Sequence, residues 1–130
     1  KSQQITNIGQ TLERWFKNKT SPDDLLKINN VRSWLNNTSP KAYAEAYYLF
    51  ATSDRVFVNN LSNLQPPVLY LTGSEDPNST SLMSEQMAQE TPNSWSESIE
   101  SEAHMMAYIS AKKVNSIIEH FLNNTTNTTK

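Results

Sequence analysis

Asp76 and His104 are the two side chains in this sequence whose types and setting invite chemistry. Each follows a stretch that reads as a short β-strand. Pro67-Val68-Leu69-Tyr70-Leu71-Thr72-Gly73 is an apolar, strand-forming run bounded by prolines and a glycine, and it leads into Ser74-Glu75-Asp76. Trp95 to Ile99 alternates, with Trp95 and Ile99 on one side and Ser96 and Ser98 on the other, and it leads into Ser101-Glu102-Ala103-His104. A helix is predicted between the two strands, so they should run parallel, joined by a right-handed crossover. Both side chains then arrive at one sheet edge, beyond the carboxyl ends of the strands, where open α/β sheets place their ligands. A carboxylate that holds an imidazole in one tautomer and stabilises its protonated form is two-thirds of a nucleophile–histidine–acid triad. The plainer reading is that Asp76 caps a turn, since Asp-Pro is a common turn dipeptide. Glu75 and Glu102 flank the pair and compete for the acid's role, although Glu102 reads as a solvated loop charge. His120 falls on the polar side of a late helix and reads as a surface histidine.

Helices must hold these strands in place. Leu12, Trp15 and Phe16 form an apolar stripe on a helix from about Thr6 to Asn18. Ser21-Pro22-Asp23-Asp24 is a helix start, with serine as cap, proline at the first position and acids in the first turn. Ile28, Val31, Trp34 and Leu35 follow as its stripe. Ser39-Pro40 repeats the signal, and Tyr43, Ala46, Tyr47 and Phe50 make a third stripe, so the aromatics are expected to form the core of a helical layer. Periodicity fades over residues 52–66, where one more short helix would turn Val56, Val58 and Leu61 inward. Leu82, Met83, Met87 and Ala88 mark the inner face of the helix between the strands. Glu97 and Glu100 make the second strand polar, as an edge protected by charge. Val114, Ile117, Ile118, Phe121 and Leu122 give the clearest helical stripe of all. The organisation expected is a helical subdomain over residues 1–60, a strand-helix-strand-helix segment over 61–122, and a disordered tail over 123–130.

Composition narrows the function classes. The 130 residues carry a formal net charge of -2 and no Cys. A near-neutral chain without a basic patch does not suggest nucleic acid, and no thiolate chemistry, disulfide or thiolate metal site is available. No apolar run approaches the roughly 20 residues of a membrane span. Lys1-Ser2-Gln3-Gln4 is not a signal peptide and lacks an initiator Met, so the chain is expected to begin inside a longer polypeptide and to be cytoplasmic. The Asn-x-Ser/Thr sequons, such as Asn18-Lys19-Thr20, arise easily by chance in so Asn-, Ser- and Thr-rich a sequence.

Taken together, these stretches resemble the C-terminal half of an α/β-hydrolase fold protein. Pro67 to Asp76 resembles that family's penultimate core strand and acid turn. Ser101-Glu102-Ala103-His104-Met105-Met106 resembles its histidine loop, and Val114 to Leu122 resembles its last helix, with Phe121-Leu122 as the usual closing pair. The helical first part resembles the family's cap. Leu12-Glu13-Arg14-Trp15-Phe16, and Ser39-Pro40 with Tyr43-Ala44, look like the cap of hydrolases akin to 3-oxoadipate enol-lactonase. Against that pattern Glu75 comes one residue early for the acid, Ala103 replaces the usual glycine before the histidine, and Ser81 replaces a proline after the acid turn. The G-x-S-x-G nucleophile elbow needs two glycines, and Gly9 and Gly73 are too far apart to supply it.

The resemblance implies an α/β fold in which this chain supplies cap and C-terminal core to a serine-type hydrolase of esters or lactones. His104 would be the general base and acid, and Asp76 would hold its tautomer. Trp15, Tyr43 and Tyr47 of the cap would wall an apolar pocket for a small-molecule substrate. No metal or organic cofactor is implied. The nucleophile and oxyanion hole would come from an N-terminal half, without which the chain is expected to be inactive. The partner expected is therefore that half, or a second copy paired through the apolar edge of Val68 to Leu71. A non-catalytic interaction module built from the same fold is the alternative.

Overall fold

Proline-led helix starts organise the first half of the molecule in the computed structural model, which describes residues 7–126. Helix α1 (Ile8–Phe16) buries Leu12 and Phe16. Helix α2 (Pro22–Asn37) opens as the sequence predicts: Ser21 caps it by accepting the Asp24 N–H on its Oγ at 3.1 Å, and Val31 and Leu35 face inward. These four residues form the core of the helical layer, with Ile8, Trp15, Ile28 and Tyr43 packed around it. Helix α3 (Pro40–Phe57) is longer than the sequence suggests, because the expected fading of helical structure at residue 52 does not occur. Thr52 and Ser53 donate their hydroxyls to the carbonyls of Tyr48 and Phe50, which settles polar side chains inside a helix. A 3₁₀ turn (Val58–Asn63) follows. Val56 is exposed and Leu61 half-buried, while the Val58 side chain lies outside the described set.

Strand β1 (Val68–Gly73), helix α4 (Ser81–Glu90) and strand β2 (Ser94–Ile99) come next, and the strands pair in parallel as expected. The register sets Leu69 beside Trp95 and Gly73 beside Ile99 on one face, and Tyr70 beside Ser96 and Thr72 beside Ser98 on the other. Helix α4 covers the second face. Its Ser81 hydroxyl meets the Ser98 hydroxyl at 2.8 Å, and the Tyr70 hydroxyl meets Thr91 Oγ1 at 2.7 Å. Helix α6 (Ala111–Thr126) reaches the first face, where Phe121 packs edge-on against Trp95 with ring centroids 5.8 Å apart. Ile99, Ala103 and Val114 are the buried apolar residues of this half.

Three expectations are corrected. On α4, Leu82 and Met83 are exposed, and the covered row is Ser84, Met87 and Ala88 with the capping Thr91, the i, i+3, i+4, i+7 spacing of mostly small side chains. On α2 and α3, Trp34, Tyr47 and Phe50 are exposed, so among the described aromatics of α3 it is Tyr43 that reaches the core cluster. The tail is corrected over Asn123 to Thr126, which continue α6; residues 127–130 lie outside the described residues. Among the described residues no helix is long and apolar enough to cross a membrane.

Candidate active site

Gly73 ends β1, and it is a glycine for lack of room. Its φ is not positive; a Cβ there would instead run into the backbone carbonyl of Glu102. That close approach brings two loops together. The Ser74 N–H donates to the Ile99 carbonyl at 3.0 Å, the Glu75 N–H to the Glu102 carbonyl at 2.8 Å, and the Ser101 N–H to Ser74 Oγ at 3.0 Å. The segments leaving the two parallel strands are thus laced to each other before either reaches its titratable side chain.

Asp76 and His104 meet at the end of this lacing. Asp76 Oδ2 lies 2.8 Å from His104 Nδ1. The other oxygen, Oδ1, accepts the N–H groups of Asn78 at 2.8 Å and Ser79 at 3.1 Å. Asp76 therefore divides its oxygens: one caps the turn and the other meets the histidine. Its side chain is 6% exposed, against 32% for His104. A carboxylate only accepts, so this contact requires a proton on His104 Nδ1 and turns Nε2 away from Asp76. In its neutral form, an imidazole held this way at the edge of a sheet could take a proton from a group placed at Nε2.

The helical layer reaches the same place. The indole of Trp15 packs against the His104 ring, with centroids 5.5 Å apart and planes tilted by 39°. The Met105 N–H donates to the Trp15 carbonyl at 3.2 Å. Beyond it, helix α5 (Met106–Ile109) docks on α2: Tyr108 packs against Trp34, Asn30 Nδ2 donates to the Tyr108 hydroxyl at 3.2 Å, and Lys27 Nζ donates to the Ile109 carbonyl at 3.1 Å. Tyr43 and Tyr47 stack on each other along α3 at 6.5 Å, Tyr43 against the helical core and Tyr47 exposed. Of the three expected pocket aromatics, Trp15 is the one in ring contact with the histidine.

Glu102 differs from its sequence reading. It is a buried carboxylate, 6% exposed. Its Oε1 accepts Lys19 Nζ at 3.0 Å and the Ser110 hydroxyl at 2.6 Å. Its position in the histidine loop was the available signal, but its partner Lys19 lies at the far end of the sequence. Glu75 is exposed, and His120 is exposed with Nε2 accepting Asn124 Nδ2 at 2.9 Å. A cavity of about 750 Å³ opens between the sheet and α6, lined by Leu69, Trp95, Glu97, Ile117 and Phe121. Neither Asp76 nor His104 lines it, so it is separate from their chemistry. Among the described residues no cluster of His, Asp and Glu could hold a metal ion.

No family model matches the chain. Its sequence is 35% identical over 119 residues to (E)-2-((N-methylformamido)methylene)succinate hydrolase from Acinetobacter baylyi, covering 92% of this chain and 44% of that protein. The chain thus spans less than half the length of the curated relative it matches. Its structure superposes on a thermophilic esterase from Thermogutta terrifontis, solved with malate bound, with a TM-score of 0.80 and 22% identity, over 91% of this chain and 43% of the esterase. With a hydrolase relative and an esterase fold both matched along nearly its whole length, the chain belongs to the α/β-hydrolase fold family, of whose fold it forms the C-terminal part.

Proposed function

We propose that Asp76 and His104 are the acid and the base of a Ser-Asp-His triad in a serine-type hydrolase of small esters or lactones. The observation that carries this reading is the 2.8 Å contact from His104 Nδ1 to an Asp76 carboxylate whose other oxygen is already fixed by two backbone N–H groups. The serine is supplied from outside these 130 residues, which contain no pair of glycines at elbow spacing. In the reaction, His104 Nε2 takes the serine hydroxyl proton as the oxygen bonds to the substrate's carbonyl carbon. The imidazolium then returns that proton to the departing alkoxide. A water molecule repeats the sequence on the acyl-serine, releasing the acid and restoring the hydroxyl. Asp76 keeps Nδ1 protonated throughout and stabilises the imidazolium. Trp15 shields the ring from one side, and Tyr43 and Tyr47 extend an aromatic wall for the substrate. The Acinetobacter relative is named for a formamido-methylene succinate, which extends the class to acyl groups carried on nitrogen.

Labelling with a serine-reactive fluorophosphonate tests the proposal. The chain alone is expected to remain unlabelled, because the nucleophile and oxyanion donors that supply most of the acceleration are elsewhere. Mixed or co-expressed with a polypeptide carrying G-x-S-x-G, it is expected to support labelling of that serine, and His104→Ala should abolish it. Stoichiometric labelling of any serine in the chain by itself would refute the assignment.

A further inference from the structure

We propose that Lys19, acting through the buried charge of Glu102, is a positioning residue for His104; the role rests on the triad reading above. Glu102 precedes His104 by two residues and is held from three directions. Its carbonyl accepts the Glu75 N–H of the acid turn at 2.8 Å. Its Oε1 takes a hydrogen bond from Ser110, ahead of α6, and from Lys19, between α1 and α2. Lys19 Nζ also donates to the Ser101 carbonyl at 3.1 Å. A single ammonium from the helical layer therefore fixes two consecutive residues of the histidine loop.

The charge matters as much as the tether. Oε2 of Glu102 is buried and has no hydrogen-bond partner among the described residues, so the carboxylate depends on the ion pair at Oε1. A buried carboxylate that loses its cation must turn to water or take up a proton. Turning toward water moves residues 101–104, and with them the imidazole whose contact with Asp76 is 2.8 Å long. The backbone is already under constraint on both sides of the Lys19–Glu102 ion pair: Lys17 has φ 51° and Ser101 has φ 60°, positive values that L residues keep only when their surroundings impose them.

This logic separates a charge-dependent role from a mechanical one. Removing Lys19 alone strands the carboxylate, whereas removing both charges leaves nothing to relocate. The test is the downfield Nδ1–H proton of His104 in the histidine-labelled 130-residue chain, assigned against His120→Gln. Lys19→Met should lose or shift this resonance, Lys19→Arg should keep it, and Lys19→Met/Glu102→Gln should recover it. A resonance unchanged in Lys19→Met overturns the proposal, and so does a double variant that fails to recover it. If Lys19→Met does not fold, the double variant decides by the same criterion. The measurement needs no turnover, so a failed hydrolase assignment would appear separately, as absent serine labelling with this resonance pattern intact.

Discussion

At the residue scale, Asp76 divides its two oxygens between the turn and the histidine, and the division can be tested. In Asp76→Asn the amide oxygen can still cap the turn formed by Asn78 and Ser79, but the NH₂ then faces His104 Nδ1–H, donor against donor. The histidine must change tautomer or turn away. The expected outcome is loss of the His104 Nδ1–H resonance and a destabilisation of about 1–3 kcal/mol by urea unfolding, the usual cost of an unsatisfied buried polar group. Asp76→Asn with the resonance retained would show that the contact is incidental. Gly73 carries a second prediction of similar kind. Gly73→Ala pushes a methyl into the Glu102 carbonyl and should cost about 1–3 kcal/mol, since the obstacle is backbone and cannot rotate aside. It should also perturb the Asp76–His104 contact, because the same approach laces the two loops.

At the element scale, α1 shows how a helix can serve a site it does not belong to. Leu12 and Phe16 are each 2% exposed and anchor one face, and the spacing then leaves Trp15 at the edge of that face, against His104. Phe16→Ala should therefore do two things. It should destabilise the chain by about 3–5 kcal/mol, the cost of emptying a large core site, as read from the urea midpoint. It should also free the Trp15 indole, seen as a shift of its fluorescence to longer wavelength. A variant with the stability loss but unchanged fluorescence would mean that the packing on His104 holds the indole without Phe16. Helix α4 makes the complementary point: a helix can pack on a sheet through Ser84, Ala88 and Thr91, since small side chains allow close approach, while Leu82 and Met83 face solvent.

At the scale of the whole molecule, the parallel pair β1–β2 has unequal edges. The outer edge of β2 carries Ser96, Glu97 and Ser98, whereas that of β1 carries Val68, Leu69 and Leu71. An apolar edge with unpaired N–H and C=O groups recruits another strand. The apolar surface beside it agrees: Trp95 on β2 is exposed, and the cavity of about 750 Å³ lies against Leu69 and Phe121. We expect the chain to associate through β1, either with a segment that supplies the nucleophile or, lacking it, with a second copy. Light scattering at micromolar concentration should show a species larger than a monomer, and Leu69→Lys should shift it toward the monomer. A monomer unaffected by the substitution would refute this.

What the sequence determined by itself is what short-range physics controls. The Ser21-Pro22 helix start, the strand after Pro67, the parallel order implied by strand-helix-strand, and the meeting of Asp76 with His104 all follow from patterns a few residues long or from the direction of the chain. The family likeness was legible in the same stretches, the acid turn and the histidine loop. Tertiary structure alone decided which faces were covered. Residues such as Trp34, Phe50, Leu82 and Met83 are apolar enough for a core, but burial requires a facing partner, and periodicity does not say whether one exists. The continuation of α3 past Thr52 and of α6 through Asn123 rested on local hydrogen bonds that a polar composition conceals. Glu102 is the clearest case. Its neighbours in sequence give a charged loop residue the aspect of a solvated one, and only the arrival of Lys19, 83 residues away, makes it a buried ion pair, because the energy of a buried charge is set by what the fold brings to it.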